Sequence, residues 1–338
     1  MSDPEVAVNY ARVQDLAKEH ASIKNLAALG HQFHKILADV EDAESILKND
    51  PDKDMVELAR GELQMLALQR EQVERELRIA LLPKDQNDEK NVIMEIRAGI
   101  GGEEAGLFAA ELYRMYSRYA QRKGWRVEII NINETGLGSV KEVVFEVKAK
   151  GAYSLLKHES GTHRVQRVPV TESGGRIHTS AVTVAVLPEA EEVDIDLRAD
   201  DLNIEIAHSS GHGGQSVQKV ATAVRITHIP TGVVAFCQDE RSQLQNKEKA
   251  MAVLRSRLLA QEIDKQQQEI TESRRSQVGT GDRSGRVRTY NFPQDRVTDH
   301  RISFTAHNIE QILDGDIDAF ISALRETEQA NKLAEAGI

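Results

Sequence analysis

A single cysteine, Cys237, stands among 338 residues. One thiol makes neither an internal disulfide nor a cysteine-based zinc site, so a secreted disulfide scaffold is excluded and a reducing compartment fits. No run of about 18 apolar residues occurs. The N-terminal stretch MSDPEVAVNYARVQDLAKEH is acidic, which predicts no membrane span, signal peptide or transit peptide, and a cytoplasmic location. The phosphate loop G-x-x-x-x-G-K-[ST] is missing too, and so is the serine-nucleophile string G-x-S-x-G. Gly99, Gly101, Gly102 and Gly106 miss the G-x-G-x-x-G register, and Glu103 with Glu104 would repel a phosphate at that turn. His31 and His34 lack the H-E-x-x-H pattern and His208 with His212 flanks glycine, so neither metal nor cofactor is expected.

An excess of positive charge is absent as well: 43 basic against 54 acidic side chains gives −11. That total speaks against a nucleic-acid partner only if charge is spread evenly, and it is not. Residues 1–90 carry 12 basic and 19 acidic side chains, residues 302–338 carry 2 and 7, and residues 91–301 carry 29 and 28. Within the last of these, Arg274, Arg275, Arg283, Arg286, Arg288, Arg296 and Arg301 face only Asp282, Asp295 and Asp299, a local charge of +4.

At roughly 100–200 residues per domain the length predicts two to four domains. Leu16, Ile23, Leu26, Phe33, Leu37, Val40 and Leu47 recur at helical spacings, then Asn49-Asp50-Pro51-Asp52 interrupts. Asp54 with Glu57 reads as a capping box opening a second helix through Leu66, Val73, Leu77 and Leu81, so residues 1–90 form a helical hairpin arm. After a polar linker, Val92, Met94 and Ile96 alternate as a strand and Leu107 to Arg122 forms a helix. Strands are predicted at 126–132, 142–147, 180–188, 203–208, 223–229 and 233–238, with a long helix over 243–273, which makes the middle α+β. Residues 274–287 read as a basic switch or linker loop and 288–338 as a C-terminal domain packing on residues 91–194.

Two strings carry chemistry. Ser209-Ser210-Gly211-His212-Gly213-Gly214-Gln215 frees the backbone for conformations closed to other residues, and a bare N–H there suits a developing oxyanion. Gln215 adds an amide that positions water without acting as a base. His163-Arg164-Val165-Gln166-Arg167-Val168-Pro169-Val170-Thr171, followed by His178 and Thr179, holds the inventory of single-stranded RNA recognition: Thr and Gln for base edges, His for stacking, Arg for phosphate. Taken singly, each string reads first as a surface loop.

Together, Arg97-Ala-Gly-Ile-Gly-Gly-Glu-Glu-Ala, Glu159-Ser-Gly-Thr-His-Arg-Val-Gln-Arg-Val-Pro, Ser209 to Gln215, Arg225-Ile-Thr-His-Ile-Pro-Thr-Gly, Cys237-Gln-Asp-Glu-Arg-Ser-Gln and Val297-Thr-Asp-His-Arg-Ile resemble the bacterial class 1 peptide chain release factors over about 91–305. The resemblance implies an α+β multidomain protein: a helical arm, a codon-recognition domain over 91–194 completed by the C-terminal segment, and a small domain over 195–273 carrying the Gly-Gly-Gln loop. It implies a termination factor without stand-alone enzyme activity, in which Gly213, Gly214 and Gln215 promote hydrolysis of the peptidyl-tRNA ester. Pro169-Val170-Thr171 matches the Pro-x-Thr branch, which reads UAA and UAG. By the same match Gly101 and Glu104 contact the first base, Thr171 the first two, His178 stacks at the second, and Gln166 with Thr179 reads the third. Arg283, Arg286 and Arg288 are expected to contact RNA. Implied partners are the ribosome, the mRNA stop codon, the P-site peptidyl-tRNA, a methyltransferase acting on Gln215 and a recycling GTPase, with the factor itself a monomer. A codon-independent ribosome-rescue hydrolase would share Gly-Gly-Gln but lack the codon-reading domain.

Overall fold

The computed structural model describes residues 10–49, 52–82, 85, 87–169, 174–190, 195, 197–208, 221–279 and 285–337. They divide into two compact units, one of residues 1–86 with 319–338 and one of residues 87–318.

The first unit contains helices α1 (Tyr10–Asn49) and α2 (Lys53–Leu81). They pack through Ile36, Leu66 and Val73, with Phe33 and Val40 alongside. The cap of α2 differs from the expected one. Asp52, in extended conformation, accepts from the Asp54 N–H at 3.0 Å and is the N-cap, while Asp54 lies inside the first turn, where its charge suits the helix dipole. Ile23, expected on the packed stripe, is 57 % exposed.

The second unit is built on two sheets. Strands β1 (Val92–Ala98), β2 (Arg126–Thr135), β3 (Ser139–Lys148), β4 (Gly161–Arg167), β5 (His178–Pro188), β9 (Arg286–Asn291), β10 (Arg296–Asp299) and β11 (Phe304–His307) form the larger. Their order is β11-β10-β9-β4-β5-β1-β3-β2, antiparallel except where β4 runs parallel to β9. Helix α3 (Glu103–Arg122) covers one face with Phe108, Leu112, Met115, Tyr116 and Tyr119, all fully buried. At about 1.5–3 kcal/mol for each large apolar side chain, this face dominates the unit's stability. A short helix, α4 (Ala152–Leu156), precedes β4. Strands β6 (Leu202–Ala207), β7 (Ala223–His228) and β8 (Val234–Cys237) form the smaller sheet. Its core joins Val224, Ile226, Ala235 and Cys237 to Ala250, Leu254 and Leu258 of helix α5.

Helix α5 runs over Gln243–Val278, five residues past the expected end. Residues 274–278, expected in a linker loop, are therefore helical, and they dock on the larger sheet. The Gln277 side chain accepts from the Val186 N–H at 2.8 Å and donates to its carbonyl at 2.9 Å. Pairing between β4 and β5 starts at Gly161 opposite Val184, so beyond that point Gln277 supplies the hydrogen bonds that a neighbouring strand would. Arg274 meets buried Glu95 one turn earlier. The C-terminal segment is also divided: β9 to β11 and helix α6 (Ile309–Leu313) belong with the larger sheet, whereas from Ala319 onward helix α7 (Asp318–Ala336) groups with the arm.

Candidate functional site

Arg167 and His178 are opposite one another at the open end of the β4–β5 pair, so residues 168–177 form the loop between them. Pro169 is buried at its start, while Val170 and Thr171 lie outside the described residues. Gln166 is directly opposite Thr179, and residues facing each other across a ladder share one face of the sheet. His178 is exposed at the loop's exit.

The start of α3 comes to the same place. Gly99 N–H donates to the Ala181 carbonyl at 3.0 Å, and Ala181 N–H donates to the Ile100 carbonyl at 2.8 Å. Gly101 then turns with φ +136°, and a Cβ on it would overlap Ser180, so glycine is required both by conformation and by the close approach. Glu104, in the first turn of α3, is 5 % exposed. Its Oε1 accepts from Arg167 Nε at 2.5 Å, and Arg167 Nη1 reaches both oxygens of Glu111 at 2.8 Å. The guanidinium lies 5.1 Å from the Phe292 ring centre. Burial pulls the Arg167 pKa down, but Glu111 and Glu104 override it and hold it above the ordinary value. Glu104 Oε2 is buried with no hydrogen-bond partner among the described residues. The structure thus gathers Gly101, Glu104, Gln166, His178 and Thr179 around one loop. Arg167, which the string's composition assigns to phosphate, instead ties α3 to β4 through Glu104 and Glu111.

Gly213, Gly214 and Gln215 lie in the 209–220 segment, outside the described residues. What carries them is described: Ala207 of β6 pairs with Ala223 of β7, so the segment is the connection between two adjacent antiparallel strands. Its base is tied by Asn246, which is fully buried. The Asn246 amide donates to the carbonyls of Thr222 at 2.8 Å and Glu240 at 2.9 Å, and its Oδ1 accepts from the Glu240 N–H at 3.0 Å. An asparagine inside a helix gives no hint of this in the sequence.

One expected RNA contact is corrected. Arg288 has no exposed surface. Its guanidinium binds Glu159 through Nη1 at 2.6 Å and Nη2 at 2.8 Å, and Asp299 through Nη2 at 3.2 Å. A cation enclosed by two carboxylates has no donor left for a phosphate. Arg286 is half-buried beside His300, and Arg283 lies outside the described residues. Among the described residues no group of three or more His, Cys, Asp or Glu is placed to hold a metal ion. Nor is any helix long and apolar enough to cross a membrane.

The PCRF domain family matches residues 1–184 and the RF-1 domain family matches residues 191–301. Peptide chain release factor 1 of Caldicellulosiruptor saccharolyticus is 57 % identical over 337 residues, covering 100 % of this chain and 95 % of that protein. Peptide chain release factor 1 of Clostridium botulinum is 55 % identical over 337 residues, covering 100 % and 94 %. Among solved structures, RF2 of Thermus thermophilus matches with a TM-score of 0.51 and 31 % identity, over 100 % of this chain and 92 % of that one. With more than half its residues shared along its whole length, the chain that sets one loop between β4 and β5 and another between β6 and β7 belongs to the peptide chain release factor 1 family.

Proposed function

We propose that this factor reads UAA and UAG in the ribosomal A site with the β4–β5 loop and the tip of α3, and promotes hydrolysis of the P-site peptidyl-tRNA ester with the β6–β7 segment. The observation that supports the reading is the convergence of Gly101, Glu104, Gln166, His178 and Thr179 on the loop that contains Pro169, Val170 and Thr171. Gln166 and Thr179 present an amide and a hydroxyl side by side on one face, suited to the edge of a third base. The Oε2 of Glu104, without a partner among the described residues, is an acceptor for a donor on the first base. Thr171 reads the first two bases and His178 stacks at the second.

At the other loop, Gly213 and Gly214 let the backbone approach the ester, and the Gln215 N–H donates to the oxyanion as water attacks the carbonyl carbon. The ester C–O bond then breaks and the proton passes to the departing ribose oxygen. The ribosome supplies the substrate and most of the site, so the factor has no activity alone and needs no cofactor. A methyltransferase modifies Gln215 and a GTPase recycles the factor in the cytoplasm.

The test is release of formyl-methionine from ribosomes programmed with UAA, UAG, UGA or a sense codon. Gly214→Ala is expected to retain stop-dependent binding and lose roughly 100- to 1000-fold in release rate, the loss associated with one oxyanion donor. Thr171→Ala is expected to weaken discrimination with the maximal release rate unchanged. Equal activity on UGA and UAG, or on sense codons, would defeat the codon assignment, and loss of binding by Gly214→Ala would make that loop structural.

A further inference from the structure

Arg164 sits in the middle of β4, on the face that also carries Gln166, because side chains on a strand return to the same side every second residue. Its neighbour in β9 is Thr289, and Arg286 is opposite Thr162. His300 completes the group: its Nε2 lies 2.8 Å from Thr289 Oγ1 and accepts from Arg286 Nε at 3.3 Å. A ring nitrogen that accepts from a guanidinium carries no proton. Burial, Arg286 and Arg164 all lower the His300 pKa, which agrees with a neutral ring.

Among the described residues no carboxylate balances these cations. Arg164 is pulled down first by burial and then by the charge of Arg286, and no acidic neighbour opposes either. Its Nε is buried without a hydrogen-bond partner among the described residues. The nearby acid, Asp299, is engaged by Arg288 and Arg301 on the other side of the sheet. Two guanidiniums on one face, with an orphaned buried donor and mutual repulsion, suit an anion, while Thr289 and His300 hold Arg286 in place.

The geometry points to this Arg164–Arg286–His300 cluster as a binding site for a phosphodiester of an RNA strand. The site rests on the proposed reading of the codon by Gln166 and Thr179 only for its location: Arg164 lies two residues along β4 from Gln166, a step of about 6.6 Å, the reach of one further nucleotide. The phosphate belongs either to the mRNA just beyond the stop codon or to ribosomal RNA packed against the same face.

The test uses the full-length factor and programmed ribosomes. Arg164→Gln and Arg286→Gln are each expected to raise the half-saturating factor concentration for release about ten-fold, equally on UAA and UAG, with the maximal rate unchanged. The slope of log affinity against log salt should flatten by about one for each phosphate that is no longer neutralised. Arg164→Lys, which keeps the charge but not the fork, should recover part of the affinity. Because the two arginines repel each other, Arg164→Gln should melt at the same temperature as the parent or higher. Comparing mRNA that continues past UAA with mRNA that ends at its third nucleotide identifies the source. A defect that disappears on the truncated message assigns the phosphate to mRNA, and one that persists assigns it to ribosomal RNA. Unchanged half-saturation and salt slope in both variants would overturn the proposal. So would a melting temperature that falls in step with affinity, or a defect confined to one stop codon. Gln166→Ala is the separate control: failure to alter the UAA/UAG balance would defeat the third-base reading and leave the phosphate site standing.

Discussion

Removing Arg288 tests whether the buried cluster beneath β4 and β9 holds the larger sheet together. Arg288, Glu159, Asp299 and Arg301 balance two charges against two, and all but Arg301 are fully enclosed. In Arg288→Met, Asp299 keeps Arg301, whose Nη2 lies at 2.7 Å and whose Nε and backbone N–H lie at 3.0 and 3.1 Å. Among the described residues the Glu159 carboxylate keeps only the Tyr116 hydroxyl at 2.9 Å. The substitution therefore strands one buried carboxylate, a loss of about 3–5 kcal/mol. Burial alone would raise the Glu159 pKa, and it is Arg288 that overrides burial and holds it below the ordinary carboxylate value. A depressed carboxylate contributes stability above its unfolded pKa and loses it as pH falls through the folded one, so the parent should weaken in acid and Arg288→Met should already be weak at neutral pH. Trp125, the single tryptophan, stacks edge-on at 5.7 Å from Tyr119 inside the same unit and reports unfolding by fluorescence. In a unit of this size the loss corresponds to a drop of roughly 6–20 °C in melting temperature. The double variant Glu159→Leu with Arg288→Met removes the stranded charge and should cost less than Arg288→Met alone. A single-variant loss under about 1 kcal/mol, or strictly additive effects, would refute the argument.

Two further outcomes follow from neighbouring geometry. His163 is fully buried with Nε2 2.9 Å from the Glu159 carbonyl, and burial together with Arg288 lowers its pKa to about 4. As pH falls below about 6.5 the unfolded chain takes up a proton that folded His163 refuses, so stability should drop by roughly 2 kcal/mol between pH 7 and 5; urea midpoints for His163→Gln that still shifted by this amount would assign the effect elsewhere. Gly315→Ala should destabilise by about 3 kcal/mol or more, because φ is +95° and the new Cβ would lie 2.6 Å from the Tyr119 backbone nitrogen; thermal melting within a degree of the parent would show that the 314–316 turn yields freely.

Much of this was readable in the chain, and the failures share one physical cause. The alternation of Val92, Met94 and Ile96 and the helical spacing through Leu112, Met115 and Tyr119 reflect local periodicity, and both elements are where that periodicity puts them. The strings at Pro169–Thr171 and Gly213–Gln215 were legible as chemistry because their residue types are unusual together. Strands β4 and β9 were not legible, since Thr162, His163, Arg164, Gln166, Arg286 and Arg288 look like a solvated loop. They become sheet interior through partners remote in sequence: Glu159 neutralises Arg288 across 129 residues, and burial keeps His163 neutral down to acidic pH only inside the fold. The same holds for the last turn of α5, whose polar side chains are fixed by Glu95 and Val186, 179 and 91 residues away. Arg288 misled for that reason: an arginine-rich stretch predicts a basic surface only while its acids stay unseen.

Helix α5 relates the two loops physically. Near its start Asn246 ties down Thr222, at the base of the β6–β7 segment, and Ala250, Leu254 and Leu258 bury against the smaller sheet. At its end Arg274 and Gln277 hold β1 and β5 of the larger sheet. From Asn246 to Gln277 the helix advances about 46 Å at 1.5 Å per residue. The two attachments differ in kind. The first is an apolar core whose strength lies in area removed from water, together with an asparagine that has no exposed surface. The second is a handful of polar contacts on a half-buried helix end, where each hydrogen bond contributes only about 1 kcal/mol net because water offers a replacement. The smaller sheet therefore belongs energetically with α5, and the α5–β5 junction is the weaker of that helix's two attachments. The net negative charge lies outside residues 91–301 and leaves this central span near neutrality, so the attraction for RNA rests on individual arginines such as Arg164 and Arg286 rather than on net charge.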